Sequence, residues 1–310
     1  DIKIIFTCAE GAPIINILNI LGYESNDVIS LCSMWSLGYM PEFKNELYKG
    51  CDIFFSWGDL HDDSYLKCKS PFNSIVQTGY IGDYAINHMK KNHVDITQKL
   101  QTKDLKIIAV YDNVAFNDYL ITYKQLHNFY KGVLSLLKEG SFACIIKTKR
   151  KGSLYKDIDN NLLNEILGYK DRVMITDEKA DLSPAFQSDL VYAFHQNSLG
   201  SVASVWGVKT VIYDESSFID KKNISKNTRV INSYDELIPT IRLLDQFTSG
   251  IDRDSSIDPF VDGNAQLRIS EYIQTLLNSQ EKSKSIMIKK VNQIYKKSYG
   301  ADKVLENDKN

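Results

Sequence analysis

The segment Asp189-Leu-Val-Tyr-Ala-Phe-His-Gln-Asn-Ser-Leu-Gly-Ser-Val-Ala-Ser-Val-Trp-Gly-Val-Lys-Thr-Val-Ile-Tyr-Asp214 constrains this chain more than any other. Residues 190–194 are apolar or aromatic enough for a buried strand. His195 to Ser198 are polar and suit a turn that starts a helix. Leu199, Val202, Ala203 and Trp206 then recur at helical spacing, Gly207 stops the helix, and residues 208–213 read as the next strand. The whole is a β-turn-α-β unit. Small residues at Gly200, Ser201, Ala203 and Ser204 let the helix approach the turn and the sheet closely. A helix start of this kind offers backbone N–H groups, with the Ser198 and Ser201 hydroxyls, to an anion. In open α/β sheets ligands bind at the carboxyl ends of strands. The segment therefore points to a phosphate-bearing ligand, with a nucleotide sugar as the first expectation.

The same alternation extends along the chain. Residues 2–6, 28–32, 51–57 and 74–78 read as strands, with helices over 14–21 and 61–68 and a hinge at 79–83. A second α/β pattern begins with a strand at 105–111. A helix over 119–138 follows, with Leu126, Phe129, Tyr130, Val133, Leu134 and Leu137 as its apolar stripe. Strands at 143–147 and 173–176, a helix at 160–167, a short strand at Ile231 and a helix at 234–247 complete it. The expected class is α/β with mainly parallel sheets covered on both faces. Asp258-Pro-Phe-Val-Asp-Gly263 leads into a last helix to about residue 277. The expected organisation is 1–82, 83–255, a return helix at 256–280 and a basic tail at 281–310. The chain enters a strand at once from Asp1, so the first unit is expected to be the last portion of a longer domain.

Composition narrows the partners. The 310 residues carry a net charge of −2, which gives no electrostatic case for nucleic acid. No apolar run approaches the roughly 20 residues of a spanning helix. Five scattered cysteines suit reduced thiols and a cytoplasmic setting. No spacing argues for a metal, and Asp157-Ile-Asp159 reads as a helix start.

Several short motifs resemble a family. They are Thr7-Cys-Ala-Glu-Gly11, Ser33-Met-Trp-Ser36, Phe55-Ser-Trp-Gly58, Gln77-Thr-Gly79, Ile145-Ile-Lys-Thr-Lys149, the 188–211 unit and Asp258–Gly263. Together they resemble bacterial surface-carbohydrate glycosyltransferases of the GT-B type, which build capsule and lipopolysaccharide. They also resemble, more distantly, CDP-glycerol glycerophosphotransferase-like proteins and UDP-sugar 2-epimerases. The resemblance implies two Rossmann-like domains, the first truncated here. It also implies transfer of a sugar from a nucleotide-activated donor to a glycan or lipid-linked acceptor, with no cofactor and no metal, at the cytoplasmic face of the inner membrane. Two positions depart from the pattern. Met34-Trp35 stands where relatives carry Gln-His, and Lys147-Thr-Lys-Arg-Lys-Gly152 replaces a basic segment that contains His. An epimerase-like enzyme stays open as an alternative, and so does a non-catalytic scaffold of polysaccharide assembly, which the missing Gln-His favours.

The candidate residues follow, each with a plainer alternative. Lys147 and Lys149, after a buried strand, would meet a diphosphate, or lie in a solvated loop. His195, Gln196, Asn197, Ser198 and Ser201 would hold phosphate or sugar, or cap a helix. Glu10 is a possible general base, or an early-helix carboxylate beside Gly11. Asp112 and Asn113 would bind sugar or cap a helix. Trp35 offers a ring for stacking. Asp262 lies in the turn before the return helix, which the resemblance brings near the cleft, so it joins Gly11 as a cleft or sugar residue. In the tail, Ile288, Val291, Ile294 and Tyr295 form an apolar stripe among Lys284, Lys289, Lys290, Lys296 and Lys297. That pattern suits either an anionic membrane surface or a solvated tail.

Overall fold

The computed structural model describes residues 2–8, 13–34, 36–37, 50–67, 70–91, 100, 104–115, 121–176, 182–195, 197–219 and 224–307. In chain order the first elements are β1 (Lys3–Thr7), α1 (Pro13–Glu24), β2 (Val28–Ser33), β3 (Ile53–Ser56), α2 (Asp62–Lys67), β4 (Ser74–Gln77) and α3 (Asp83–Lys91). Then come β5 (Lys106–Tyr111), α4 (Tyr123–Glu139), β6 (Phe142–Lys147), α5 (Leu154–Asp157), α6 (Asn160–Leu167), β7 (Val173–Thr176) and α7 (Ser183–Phe186). The rest are β8 (Leu190–Phe194), α8 (Ser198–Val205), β9 (Thr210–Tyr213), β10 (Thr228–Ile231), α9 (Leu237–Asp245), α10 (Ala265–Leu277), α11 (Lys284–Tyr299) and β11 (Val304–Glu306). They form two compact units, Asp1–Ala85 with Ser256–Asn310, and Ile86–Ser255.

The first unit holds a sheet of order β1-β2-β3-β4-β11, parallel except for β11, which runs antiparallel to β4. Its core joins Ile29, Leu31, Ile53, Phe55 and Val76 of the strands to Ile269, Tyr272 and Leu276 of α10. The second unit holds an all-parallel sheet of order β10-β9-β8-β5-β6-β7. Its strands β5, β6 and β8 are buried at nearly every position, as expected for a sheet covered on both faces. Thr122 starts α4 with a capping box closed by Gln125, and Gly140 ends it in the left-handed region at φ 96°. The α/β class and the two mainly parallel sheets are those the sequence led us to expect.

The tail differs from expectation. Met287, Ile288, Val291 and Tyr295 of α11 are buried in the first unit's core, so most of the apolar stripe faces the sheet rather than a lipid surface. Only Ile294 of that stripe is exposed, at 46%. Three of the five lysines are engaged as well. Lys284 Nζ donates to the carbonyls of Gly22, Tyr23 and Ser25 at 2.8–2.9 Å, and pairs with buried Asp52 at 2.9 Å. Lys290 pairs with Glu281 and Lys296 with Glu306. An amphipathic helix with this pattern fits a sheet face as well as a bilayer, and here the sheet uses it. Among the described residues no helix is long and apolar enough to cross a membrane.

The close approach expected at Gly200 is present. A Cβ built there would lie 2.8 Å from Ala193 Cβ on β8. Gly200→Ala is therefore expected to destabilise the protein by about 1–3 kcal/mol, although Ala is the better helix former. Ile288→Ala, in the core under α11, is expected to cost about 2–5 kcal/mol. Urea denaturation of each variant checks both values.

Candidate functional site

The second unit's strand order creates a switch point. The chain leaves β5 for β6 and β7 on one side, then returns to β8 on the other. The crevice between the carboxyl ends of β5 and β8 is where such sheets bind ligands. Asp112 and Asn113 follow β5, and both are buried. Asn197 follows β8, and its Nδ2 donates to the Asp112 carbonyl at 2.8 Å, bridging the two strand ends. The same side chain caps α8, since its Oδ1 accepts from the N–H groups of Leu199 and Gly200 at 3.0 and 3.2 Å. Ser201 N–H donates to the Asn197 carbonyl. The helix start thus engages two of its own donors through Asn197, and Ser198 is the first helical residue.

On the other side, Tyr111 of β5 pairs in register with Lys147 of β6. Lys147 is buried and its Nζ donates to the Thr148 carbonyl. Lys149 is exposed, and its backbone N–H donates to Asp112 Oδ1. Asp112 Oδ2 accepts from the Tyr130 hydroxyl at 2.9 Å. Burial pushes the Asp112 carboxyl up to about 6, against the hydrogen bonds from Lys149 and Tyr130 and the charge of Lys147. A concavity at this edge is lined by Asp112, Asn113, Lys149, Arg150, Ser153 and Asp157. Asp159, two residues on, caps α6 by accepting from Asn161 and Leu162 N–H.

His195 closes the site from β8. It is buried and non-glycine, yet its φ is +56°, in the left-handed region. Its Nε2 lies 3.0 Å from Ser216 Oγ and 3.2 Å from Asp214 Oδ1, and Ser216 donates to Asp214 at 2.6 Å. Burial raises the Asp214 carboxyl, but hydrogen bonds from His195, Ser216 and the Ile219 N–H outweigh it and hold the group at about 2. The His195 turn is thus pinned to the end of β9 by a buried carboxylate.

The structure therefore gathers Asp112, Asn113, Lys147, Lys149, His195, Asn197, Ser198 and Ser201 at one edge of one sheet. Asp262 belongs to the first unit. It accepts from both terminal nitrogens of Arg268, at 2.9 and 3.0 Å. Arg268 is 2% exposed, donates to the Thr78 carbonyl at 2.8 Å and stacks 3.8 Å over the Phe260 ring. Burial raises Asp262, but Arg268 more than compensates and holds it below the usual carboxylate range. Nearby Asp258 accepts from Tyr80, Phe260 and Val261 N–H, and Asp83 from Ala265 N–H. The 258–263 segment is thus tied to the end of β4 and the starts of α3 and α10. Glu10, Gly11, Trp35 and Gln196 lie outside the described residues. Among the described residues, no group of three or more His, Cys, Asp or Glu side chains is gathered as a metal ion would require.

Sequence reasoning did not single out Tyr130, Asp214 or Ser216. The helical stripe registers the Tyr130 ring but not where its hydroxyl reaches. Asp214 had a signal, because it directly follows a strand at its carboxyl end.

With this geometry in place, solved structures give the comparison. The chain aligns to a protein from Listeria monocytogenes described as a UDP-N-acetylglucosamine 2-epimerase, with TM-score 0.60 and 13% identity, over 90% of this chain and 75% of that one. It aligns to S. aureus MnaA bound to UDP with TM-score 0.50 and 14% identity, over 89% and 97%. The fold is of the GT-B type. No protein-family model matches the chain, and no curated sequence does.

The Asp214 carboxylate yields a test of this geometry. Its lowered folded value means that its contribution is complete above about pH 4 and is lost as pH falls through about 2. Asp214→Asn is expected to cost about 2 kcal/mol at neutral pH, with the difference from the parent chain shrinking below about pH 4. Denaturant titrations across that pH range check it.

Proposed function

We propose that the chain is a nucleotide-sugar enzyme. It acts as a glycosyltransferase that moves a sugar or sugar-like group from a nucleotide-activated donor to a bacterial surface glycan or its lipid-linked precursor. The reading rests on the switch-point edge of the second unit, where Asn197 joins a helix start to Asp112 beside Lys149. There the donor diphosphate lies against Lys149 and the first turn of α8, with Ser198 and Ser201 as hydroxyl donors. Lys147 supplies positive charge from beneath. Asn113 and His195 border the sugar end. A leaving diphosphate gains its stabilisation from these fixed dipoles and cations, so the reaction needs no bound metal. Glu10 is the proposed general base for the acceptor hydroxyl. The site of action is the cytoplasm, at the inner membrane face.

A second reading is favoured by one observation, the alignment at TM-score 0.60 to the protein described as a 2-epimerase. In that reading the same edge binds a UDP-sugar, and the sugar is inverted at one carbon rather than transferred.

Calorimetry with UDP-, CDP- and GDP-sugars tests the binding step. At least one is expected to bind without added divalent metal, and Lys149→Ala is expected to weaken it about tenfold. Affinity is expected to rise as pH falls through about 6, where Asp112 takes its proton and stops repelling the phosphates. Absence of heat with every nucleotide sugar on the folded protein would sink the proposal. NMR of the bound sugar separates the readings: a new epimer without acceptor favours epimerisation, and nucleotide release only with acceptor favours transfer.

A further inference from the structure

We propose a second anion site on the second unit, at the sheet edge opposite the nucleotide site, that takes a phosphate group. Lys209 stands just before β9, Lys226 just before β10, and Arg229 within β10. β9 and β10 are parallel neighbours, so all three meet at the amino-terminal edge of the sheet. The switch-point residues follow the carboxyl ends. Lys209, Lys226 and Arg229 line a cavity of about 160 Å3 together with Phe247, Thr248 and Ser249.

Three features make this more than a basic patch. First, among the described residues no carboxylate lines the cavity and none of the three cations joins an ion pair. The nearby buried Asp252 carboxylate accepts the backbone N–H of Lys226 at 2.8 Å. Second, Arg229 is held in place. Its Nη1 donates to the carbonyls of Lys226 and Thr228 at 3.2 and 2.8 Å, and its guanidinium lies 5.6 Å from the Phe247 ring centre. A positioned guanidinium with lysines beside it suits phosphate, which accepts paired hydrogen bonds. Third, the whole chain carries a net charge of −2, so three cations clustered in one cavity are a local feature rather than a general excess. Their mutual repulsion is relieved when an anion enters. The hydroxyls of Thr248 and Ser249 add uncharged donors at the same rim.

The phosphate has two possible sources, a soluble phosphate compound or a lipid headgroup. Titration of the full chain with inorganic phosphate, and sedimentation with phosphatidylglycerol or phosphatidylcholine vesicles, tell them apart. Binding to inorganic phosphate alone supports a soluble source. Additional binding to phosphatidylglycerol vesicles only supports the headgroup. Lys226→Glu and Arg229→Gln are each expected to weaken binding about tenfold, with Arg229→Lys losing less. Nucleotide-sugar affinity at the opposite edge is expected to stay unchanged in all three, which separates this site from the one proposed above. Lys226 is exposed, so its variant folds even if Arg229→Gln does not. Binding that survives Lys226→Glu undiminished, or no binding of either probe, overturns the proposal.

Discussion

The side-chain amide of Asn197 is the contact on which the second unit's candidate site depends. One end of it caps α8 and the other donates to the Asp112 carbonyl across the switch point. An aspartate could cap the helix but could not donate, and a serine would be too short to do both. With the amide in place, the first turn of α8 and the end of β5 share one geometry. Asp112 carries that geometry on to Lys149 and Tyr130. His195 carries it the other way, through Asp214 and Ser216, to the end of β9. Four strand ends are thus linked by polar side chains rather than by packing alone.

The two units treat buried charge differently. In the second, Asp214 is ionised because three donors converge on it, whereas Asp112 receives fewer compensating contacts and rises to about 6. In the first, a single arginine serves a group of carboxylates. Arg268 pairs with Asp262, while Asp83 lies 4.0 Å from it and is raised to about 6 by burial. The guanidinium has enough donors for Asp262 and the Thr78 carbonyl, and it gives Asp83 only a longer-range attraction. Backbone N–H groups supply the rest.

Much of the second unit was legible in the sequence, because buried parallel strands are continuous apolar runs and their helices carry clear stripes. Residues 160–167, 173–176 and 190–194 were read with the observed boundaries. The helix start after residue 194 was legible as a capped one, and Asn197 supplies that cap. The tail was misread in one respect. A lysine-flanked apolar stripe has the same period whether its partner is lipid or a sheet, and only the fold reveals the sheet beside it. β11 was not seen at all, because a strand of three residues, Val304–Glu306, carries no alternation to detect. Asp262 was read from the return helix as a residue near the cleft, and its arginine partner six residues on carried no signal of its own.

The pairing of β11 with β4 has a consequence for the order of folding. The first unit is discontinuous: it draws on residues before 86 and after 255, and the second unit is the continuous stretch between them. During synthesis, the second unit has its full set of strands once residue 255 has emerged. The first still lacks α10, α11 and its last strand. Until then the face of β2, β3 and β4 that α10 and α11 cover is open to other partners. Domains emerge in sequence and fold as units, so the sheet made first is completed last. The interval exposes an apolar surface for the whole time the middle of the chain is being made.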